Sequence, residues 1–315
     1  MAFKGKNIAV IVPAYNEEKL IKKTLLNIPD YIDKVLVIDD CSSDSTNSII
    51  KKFIETVSRD IELLTNKVNR GVGYSIKRGY QRFIENNLDV AVVMAGDNQM
   101  DPKNLPKLLD PIIAKKIDYS KGNRLKHQER SNMPLFRRFG NNILTLLSKI
   151  STGYWEISDP QNGYTAITRK SLMKLNFENI YDGYGYCNDI LFEANINNLK
   201  LKDVYMAPVY GEEVSGIRIG RYSITLIYLF VRGFFRRINS KYGGPNFHPV
   251  LILFYSGFFF GTVSVIEFIR SIIYYLDNDS FPIFTSIVTM FTFLLSVIFL
   301  LFGLGIDSEM TFKNK

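Results

Sequence analysis

Lys6-Asn7-Ile8-Ala9-Val10-Ile11-Val12-Pro13 is the first regular stretch of the chain. A short apolar run met at once by proline reads as a buried strand over Lys6–Val12. Working outward, Leu20, Ile21, Thr24, Leu25 and Ile28 recur at helical spacing, which predicts a helix over Glu18–Ile28. Lys34–Ile38 reads as a second strand. Ser42, Ser43 and Asp44 then offer an N-cap, and Ile49, Ile50, Phe53, Ile54 and Val57 keep the helical period. Ile61–Leu64 and Val90–Met94 are further strands; Ile76, Tyr80, Phe83 and Ile84 mark one intervening helix and Pro102–Ala114 the next. The alternation predicts an α/β fold with a mostly parallel sheet covered by helices on both faces. Later residues read less regularly, with strands at Ile117–Ser120 and Tyr164–Thr168 and helices at Pro134–Ile150 and Asp189–Asn198. No internal repeat or low-complexity tract interrupts the pattern.

The last quarter has another character. Phe281–Ile306 holds 26 residues without a charge, enough to span a bilayer as a helix. Val250–Leu276 is a second span, clean to Ile266 and then carrying Glu267 and Arg270 at i, i+3, which reads as a helix end rising into the headgroups with the two side chains paired. The connector Asp277-Asn278-Asp279-Ser280 has no Lys or Arg, whereas Arg232, Arg236, Arg237 and Lys241 precede the hairpin and Lys313 and Lys315 follow it. The positive-inside rule therefore puts both termini and the polar part in the cytoplasm. Between them, Ile219–Asn239 has too short an apolar run to span and reads as a basic, aromatic helix lying in the interface, a soluble-domain helix being the plainer alternative. The expected organisation is an α/β domain over 1–215, a juxtamembrane segment over 216–245, and transmembrane helices over 249–276 and 281–306.

Residues 1–247 carry 36 Lys/Arg against 26 Asp/Glu. This excess suits an anionic membrane or anionic substrates; nucleic acid is disfavoured because no basic-aromatic motif appears. Cys41 and Cys187 form no CxxC and no disulfide framework, which fits a reducing compartment, and two histidines exclude a His-rich metal site. The stretch Ile8–Val12 is too short for a secretory signal.

In parallel sheets, ligands bind beyond the carboxyl ends of strands. Three polar loops lie there: Pro13–Glu17, Asp39–Asp44 and Ala95–Asp101. No Walker A run exists, and Gly71-Val72-Gly73 lacks a third glycine at dinucleotide spacing. Asp97, in Ala95-Gly96-Asp97-Asn98-Gln99-Met100-Asp101, admits two readings: an Asx turn, or a carboxylate for a hard cation completed by substrate phosphates. Asp39 and Asp40 are adjacent, so they are not expected to face inward together; one would cap backbone while the other accepts from a base or ribose.

Taken together, Ile11-Val12-Pro13-Ala14-Tyr15-Asn16-Glu17-Glu18, Val37-Ile38-Asp39-Asp40-Cys41-Ser42-Ser43-Asp44-Ser45-Thr46, Asn69-Arg70-Gly71-Val72-Gly73 and Gly96-Asp97-Asn98-Gln99-Met100-Asp101-Pro102 resemble family 2 glycosyltransferases over residues 8–210. The resemblance implies the GT-A fold, a Rossmann-like sheet, with a nucleotide sugar donor and Mg²⁺ or Mn²⁺. With its C-terminal hairpin the chain looks like the branch that loads sugars onto polyprenyl (dolichyl or undecaprenyl) phosphates, similar to dolichyl-phosphate mannose synthases. It implies Pro13, Tyr15 and Glu17 around base and ribose, Asp40 reading the base, Asp97 facing the metal and Gln99 beside metal and donor. Ala95 departs from the family pattern, where many relatives have a first Asp; this is the only feature favouring a non-catalytic membrane adaptor.

On the acceptor side, Lys121-Gly122-Asn123-Arg124 resembles the relatives' Gly-x-Arg segment, whose arginine binds the lipid phosphate. The stretch Lys121–Arg138 also holds Lys126, Arg130, Arg137 and Arg138, read either as phosphate ligands or as a solvated basic surface. Asp159-Pro160-Gln161-Asn162-Gly163-Tyr164 resembles the acceptor-side Asp loop, and Asp189 stands where many relatives place an acid, its plain alternative being a helix cap. A phosphate acceptor is already anionic and needs positioning by Arg124; a hydroxyl acceptor needs a base, with Asp189 or Asp159 the candidates. The resemblance favours a UDP-sugar carrying N-acetylglucosamine or another hexosamine, then GDP-mannose, then extension of a lipid-linked saccharide. The hairpin leaves room for a homo-oligomer.

Overall fold

The computed structural model describes residues 3–124, 135–207, 219–244 and 247–313. The first strands are β1 (Ile8–Ala14), β2 (Lys34–Asp39), β3 (Ile61–Thr65) and β4 (Val90–Val93), with α1 (Ile21–Asn27), α2 (Thr46–Thr56) and α3 (Val72–Glu85) between them. After a 3₁₀ turn at Pro102–Asn104 come α4 (Leu105–Ile113), β5 (Tyr119–Asn123), α5 (Leu135–Thr152), β6 (Thr165–Thr168), α6 (Arg169–Leu172), α7 (Tyr186–Ile196) and β7 (Leu201–Tyr205). These strands form one sheet of order β3-β2-β1-β4-β6-β5-β7. β6 alone runs against its neighbours β4 and β5, while β5 and β7 are parallel. The mostly parallel α/β sheet expected from the alternation is therefore present.

All seven residues of β1 are buried, because helices cover both faces. Ile8, Val10 and Val12 point to the layer built by α1, α2 and α4 through Leu25, Ile50 and Leu108. Ala9 and Ile11 point to the layer built by α3 and α7 through Tyr80, Phe83 and Leu191. An Ile11→Ala cavity here would cost about 2–5 kcal/mol. Pro13 does not end β1: the strand runs on to Ala14, with Pro13 paired beside Ile38. A parallel ladder leaves alternate N–H groups unused by a given neighbour, so a proline at the strand's rim is tolerated.

Two further local expectations shift. The first helix begins at Ile21, since Glu17 and Glu18 belong to a loop laced to its neighbour. Ser42, Ser43 and Asp44 lie before the α2 cap position, Ser45, and only Asp44 reaches the helix, accepting from Thr46 N at 2.9 Å.

α8 spans Ile219–Tyr242, and the chain divides into two compact units within it, after Phe234. In the first unit, Leu226, Leu229 and Phe230 of α8 are buried, whereas Ile224, Ile227, Tyr228 and Val231 are exposed. The helix thus carries apolar residues on two faces, the inner one packed on Phe192.

The second unit contains α9 (Val250–Asn278) and α10 (Ile283–Lys313), both long and apolar enough to cross a membrane. Their seam is small and weakly polar: Ser296 Oγ donates to Gly257 O at 2.8 Å, Ser264 Oγ to Thr289 O at 3.1 Å, and a side chain on Gly257 would strike Leu300. Large apolar side chains such as Phe259, Phe268, Phe284 and Phe291 face outward. Small residues within and apolar bulk without is the arrangement lipid favours. Arg270 pairs with Glu267 at 2.7 Å, as their spacing predicts. Of the charges that flank the hairpin in sequence, Arg237 is buried and the Lys241 side chain largely enclosed: Arg237 pairs with Asp307 at 2.8 Å, and Tyr242 donates to the same oxygen at 2.6 Å.

Candidate active site

At the carboxyl ends of β1, β2 and β4 lies a cleft of about 340 Å³. Pro13, Tyr15, Glu17, Asp40, Gly71 and Asp97 all line it. Four loops distant in sequence, those after β1, β2, β3 and β4, thus supply one site, as their strand-end positions require.

The loop after β1 is fixed to the loop after β2. Asn16 adopts positive φ, donates its N–H to Ser42 Oγ at 3.0 Å and accepts from Ser43 N at 2.8 Å. Glu17 N donates to Thr46 Oγ1 at 2.7 Å. These bonds hold Tyr15 in the cleft wall with its ring half exposed.

Asp39 and Asp40 are both buried, contrary to the expectation that only one faces inward. β2 ends at Asp39, and Cys41 turns at positive φ, so the alternation of a strand no longer applies. Asp39 accepts from Ser42 N and Asn47 Nδ2, which caps the loop. Asp40 accepts from Asn66 Nδ2 at 2.6 Å, Arg70 N at 3.1 Å and Gly71 N at 2.7 Å. An ionised carboxylate accepts about four such bonds, so Asp40 keeps room for one more donor.

Asp97 follows β4 in a turn where Asn98 takes positive φ. Its Oδ1 accepts from Gln99 N at 3.0 Å. Burial pushes the Asp97 carboxyl above its ordinary value, opposed by that hydrogen bond and by the positive field of Arg124. Gln99, expected beside the metal, contributes this backbone N–H and is not among the residues lining the cleft. Among the described residues no three His, Cys, Asp or Glu side chains converge. That donor set fits a hard cation taking one protein carboxylate, Asp97, with its other ligands from phosphate and water, rather than a closed protein cage.

The acceptor-side residues come together as a pair. Asp159 is buried and holds the half-exposed Arg124: Oδ2 accepts from Arg124 Nε at 2.9 Å and from its backbone N at 3.2 Å, and Oδ1 from Nη2 at 3.3 Å. Lys121 does not join Arg124 at the surface. β5 continues through Asn123, so Lys121 lies inside the sheet, fully buried, donating to Asn162 O. Lys126 and Arg130 lie outside the described residues, as do the side chains of Arg137 and Arg138.

Asp189 is in the first turn of α7, fully buried and not among the cleft residues. It accepts from Tyr181 N at 2.9 Å and pairs with Arg232 of α8 at 2.9 Å. These bonds tie the first turn of α7 to α8. Sequence reading missed two features here: the Asp189 partner, and the wall formed by Gly183 and Tyr184. Asp182 beside them accepts from Arg70 Nη2 at 3.1 Å and pairs with Lys77. Partners 43 to 112 residues apart leave no local periodicity to detect.

Comparison with known proteins agrees with this geometry. The profile described as Glycosyl transferase family 2 matches residues 9–175. The UDP-N-acetylglucosamine–dolichyl-phosphate N-acetylglucosaminyltransferase of Methanococcus voltae is 30% identical over 220 residues, 66% of this chain and 87% of that one. The undecaprenyl-phosphate mannosyltransferase of Micrococcus luteus is 27% identical, covering 59% of this chain and 77% of its own. In fold, the chain resembles glucosyl-3-phosphoglycerate synthase from Mycobacterium tuberculosis in complex with uridine diphosphate, with a TM-score of 0.56, 19% identity, and coverage of 73% and 81%. With strand-end loops, a cleft carboxylate and a family profile over more than half its length, this chain belongs to glycosyl transferase family 2.

Proposed function

We propose that this chain transfers a sugar from a nucleotide diphosphate sugar to a polyprenyl phosphate at a membrane surface. N-acetylglucosamine from its UDP donor is favoured, because the Methanococcus voltae relative bears that activity in its name. The observation that carries the reading is Arg124, half exposed and gripped by buried Asp159 at 2.9 Å, in a chain whose strand-end cleft is lined by Asp97. One site then has a carboxylate for the donor's diphosphate end and a guanidinium for an anionic acceptor.

Tyr15, Glu17 and the remaining acceptor capacity of Asp40 receive base and ribose. Asp97 would hold a Mg²⁺ or Mn²⁺, which would supply charge neutralisation for the departing nucleotide diphosphate. Arg124 orients the lipid phosphate so that an oxygen faces the anomeric carbon, which converts encounter into alignment. That oxygen is already anionic near neutral pH, so no side chain has to remove a proton. This matches the engagement of Asp159 and Asp189 with arginines, and it disfavours a hydroxyl acceptor. The hairpin anchors the enzyme, and the absence of Lys and Arg from its connector supports a cytoplasmic cleft and cytoplasmic flanks of the hairpin.

The test is transfer itself. Membranes containing the protein are incubated with radiolabelled UDP-N-acetylglucosamine or GDP-mannose, a divalent cation, and dolichyl or undecaprenyl phosphate. Label in an extracted lipid monophosphate with one donor supports the reading and names the sugar. Label found only on preformed lipid-linked saccharides overturns it.

A further inference from the structure

Asp203 lies on β7, opposite Lys121 of β5 in the parallel register. One of its oxygens, Oδ2, accepts from Ser158 N at 2.7 Å and from Asn123 Nδ2 at 2.8 Å. Ser158 is the residue before Asp159, and Asn123 is the residue before Arg124. A single carboxylate oxygen therefore gathers the two chain segments that enter the Arg124–Asp159 pair. The rest of the segment is fastened as well: Lys121 Nζ donates to Asn162 O, and Gly122 N to Tyr164 O at 2.8 Å.

Among the described residues the other oxygen of Asp203 is buried with no hydrogen-bond partner, so its matched oxygen makes all of its hydrogen bonds there. The charged groups that face it are Lys121 on β5 and Asp159 on the loop. Neither forms an ion pair with it, so Asp203 is not explained as one half of a salt bridge.

We infer that Asp203 is a positioning residue for the lipid-phosphate acceptor: it sets the direction of the Arg124 guanidinium by holding the side chain of Asn123, just before Arg124, and the backbone of Ser158, just before the Asp159 that grips it. The assignment rests on the proposed transfer to a polyprenyl phosphate. It adds a residue that touches neither substrate yet controls acceptor affinity. Loss of such support displaces the guanidinium by a fraction of an ångström to an ångström, which at an aligned site costs about 10- to 100-fold.

The full-length protein in membranes is assayed with UDP-N-acetylglucosamine and polyprenyl phosphate, each varied in turn. Asp203→Ala should raise the acceptor KM about 10-fold while the donor KM stays within about twofold. Asp203→Asn keeps an oxygen for Ser158 N and should recover most of the acceptor affinity. In an Arg124→Ala background, adding Asp203→Ala should change the acceptor KM no further, because both act through one group. If Asp203→Ala fails to accumulate, Asn123→Ala removes the same tie from the opposite strand and should shift the acceptor KM in the same direction. A role confined to stability would lower the melting temperature and leave the ratio of the two KM values unchanged, which would overturn the inference. Additive effects of Arg124→Ala and Asp203→Ala would overturn it too. A wild-type protein that loads no polyprenyl phosphate instead removes the functional reading and this assignment with it, an outcome distinct from an active enzyme indifferent to position 203.

Discussion

Gly71 and Gly73 show how one residue's meaning depends on what lies opposite it. In the sequence they look like the opening of a dinucleotide fingerprint that is never completed. In the structure Gly71 has φ of +98°, gives its N–H to Asp40 and leaves no space for a side chain beneath Asp182 O. A Cβ on Gly73 would overlap the carbonyl of Tyr181. The glycines admit the 181–183 backbone, and the next residue, Tyr184, lines the cleft with Gly183. Gly73→Ala should therefore cost about 1–3 kcal/mol by overpacking and weaken UDP binding together with it, seen as a lower melting temperature and a smaller stabilisation by added UDP. Asp203 makes a second prediction at this scale. Burial pushes its carboxyl up to about 6, whereas an unfolded aspartate titrates near its ordinary value of about 4. Between those values the folded chain binds more protons, so stability falls as pH rises across that window, by at most about 3 kcal/mol. Asp203→Asn should flatten the melting temperature between pH ~4 and ~6 relative to wild type. Gly71-Val72-Gly73 stood out as a motif, but its packing against residues 181–183 was not legible, and neither was Asp203. Asp97, Asp40 and Arg124 drew notice because each follows a strand end, whereas Asp203 sits within a strand and acts on partners 45 and 80 residues away.

Among elements, the strands were readable because continuous apolar runs bounded by polar loops have few alternative uses. Boundaries failed where a residue that ordinarily ends a buried strand is kept inside one: β5 runs on through the charged Lys121, and β1 through Pro13, which has no N–H to give. Helix α8 is the instructive element. Its sequence is apolar and basic at once, and only packing shows that Arg232 faces a fully buried carboxylate on α7. The two partners are not equivalent. Arg232 is one-third exposed, so after Asp189→Asn it still reaches water. Asp189 has no such route after Arg232→Ala. Stranding a buried charge costs about 3–5 kcal/mol, and a partly exposed one markedly less. Arg232→Ala should therefore lower the unfolding midpoint in detergent by clearly more than Asp189→Asn, with the double variant milder than Arg232→Ala alone. Equal losses would mean that the pair does not join α7 to α8 in this way.

For the whole molecule, the decisive asymmetry is in charge rather than shape. Arg237 and Lys241 are enclosed with Asp307, so the folded hairpin does not offer them to lipid headgroups. Orientation, however, is set as the chain inserts, when basic residues near the spans count whether or not they later become buried. Arg232, Arg236, Arg237 and Lys241 precede α9, Lys313 and Lys315 close the chain, and the connector between the spans has only Asp277 and Asp279. The hairpin should insert with that connector outside. In a background with Cys41 and Cys187 replaced by serine, a membrane-impermeant maleimide added to intact cells should label Ser280→Cys. Lys313→Cys should react only after permeabilisation. This orientation has a chemical consequence: it leaves the cleft in the compartment where nucleotide sugars are made and where two reduced cysteines are stable. The reverse labelling would separate the cleft from its donor, and the proposed transfer would then fail for want of substrate even with every cleft residue in place.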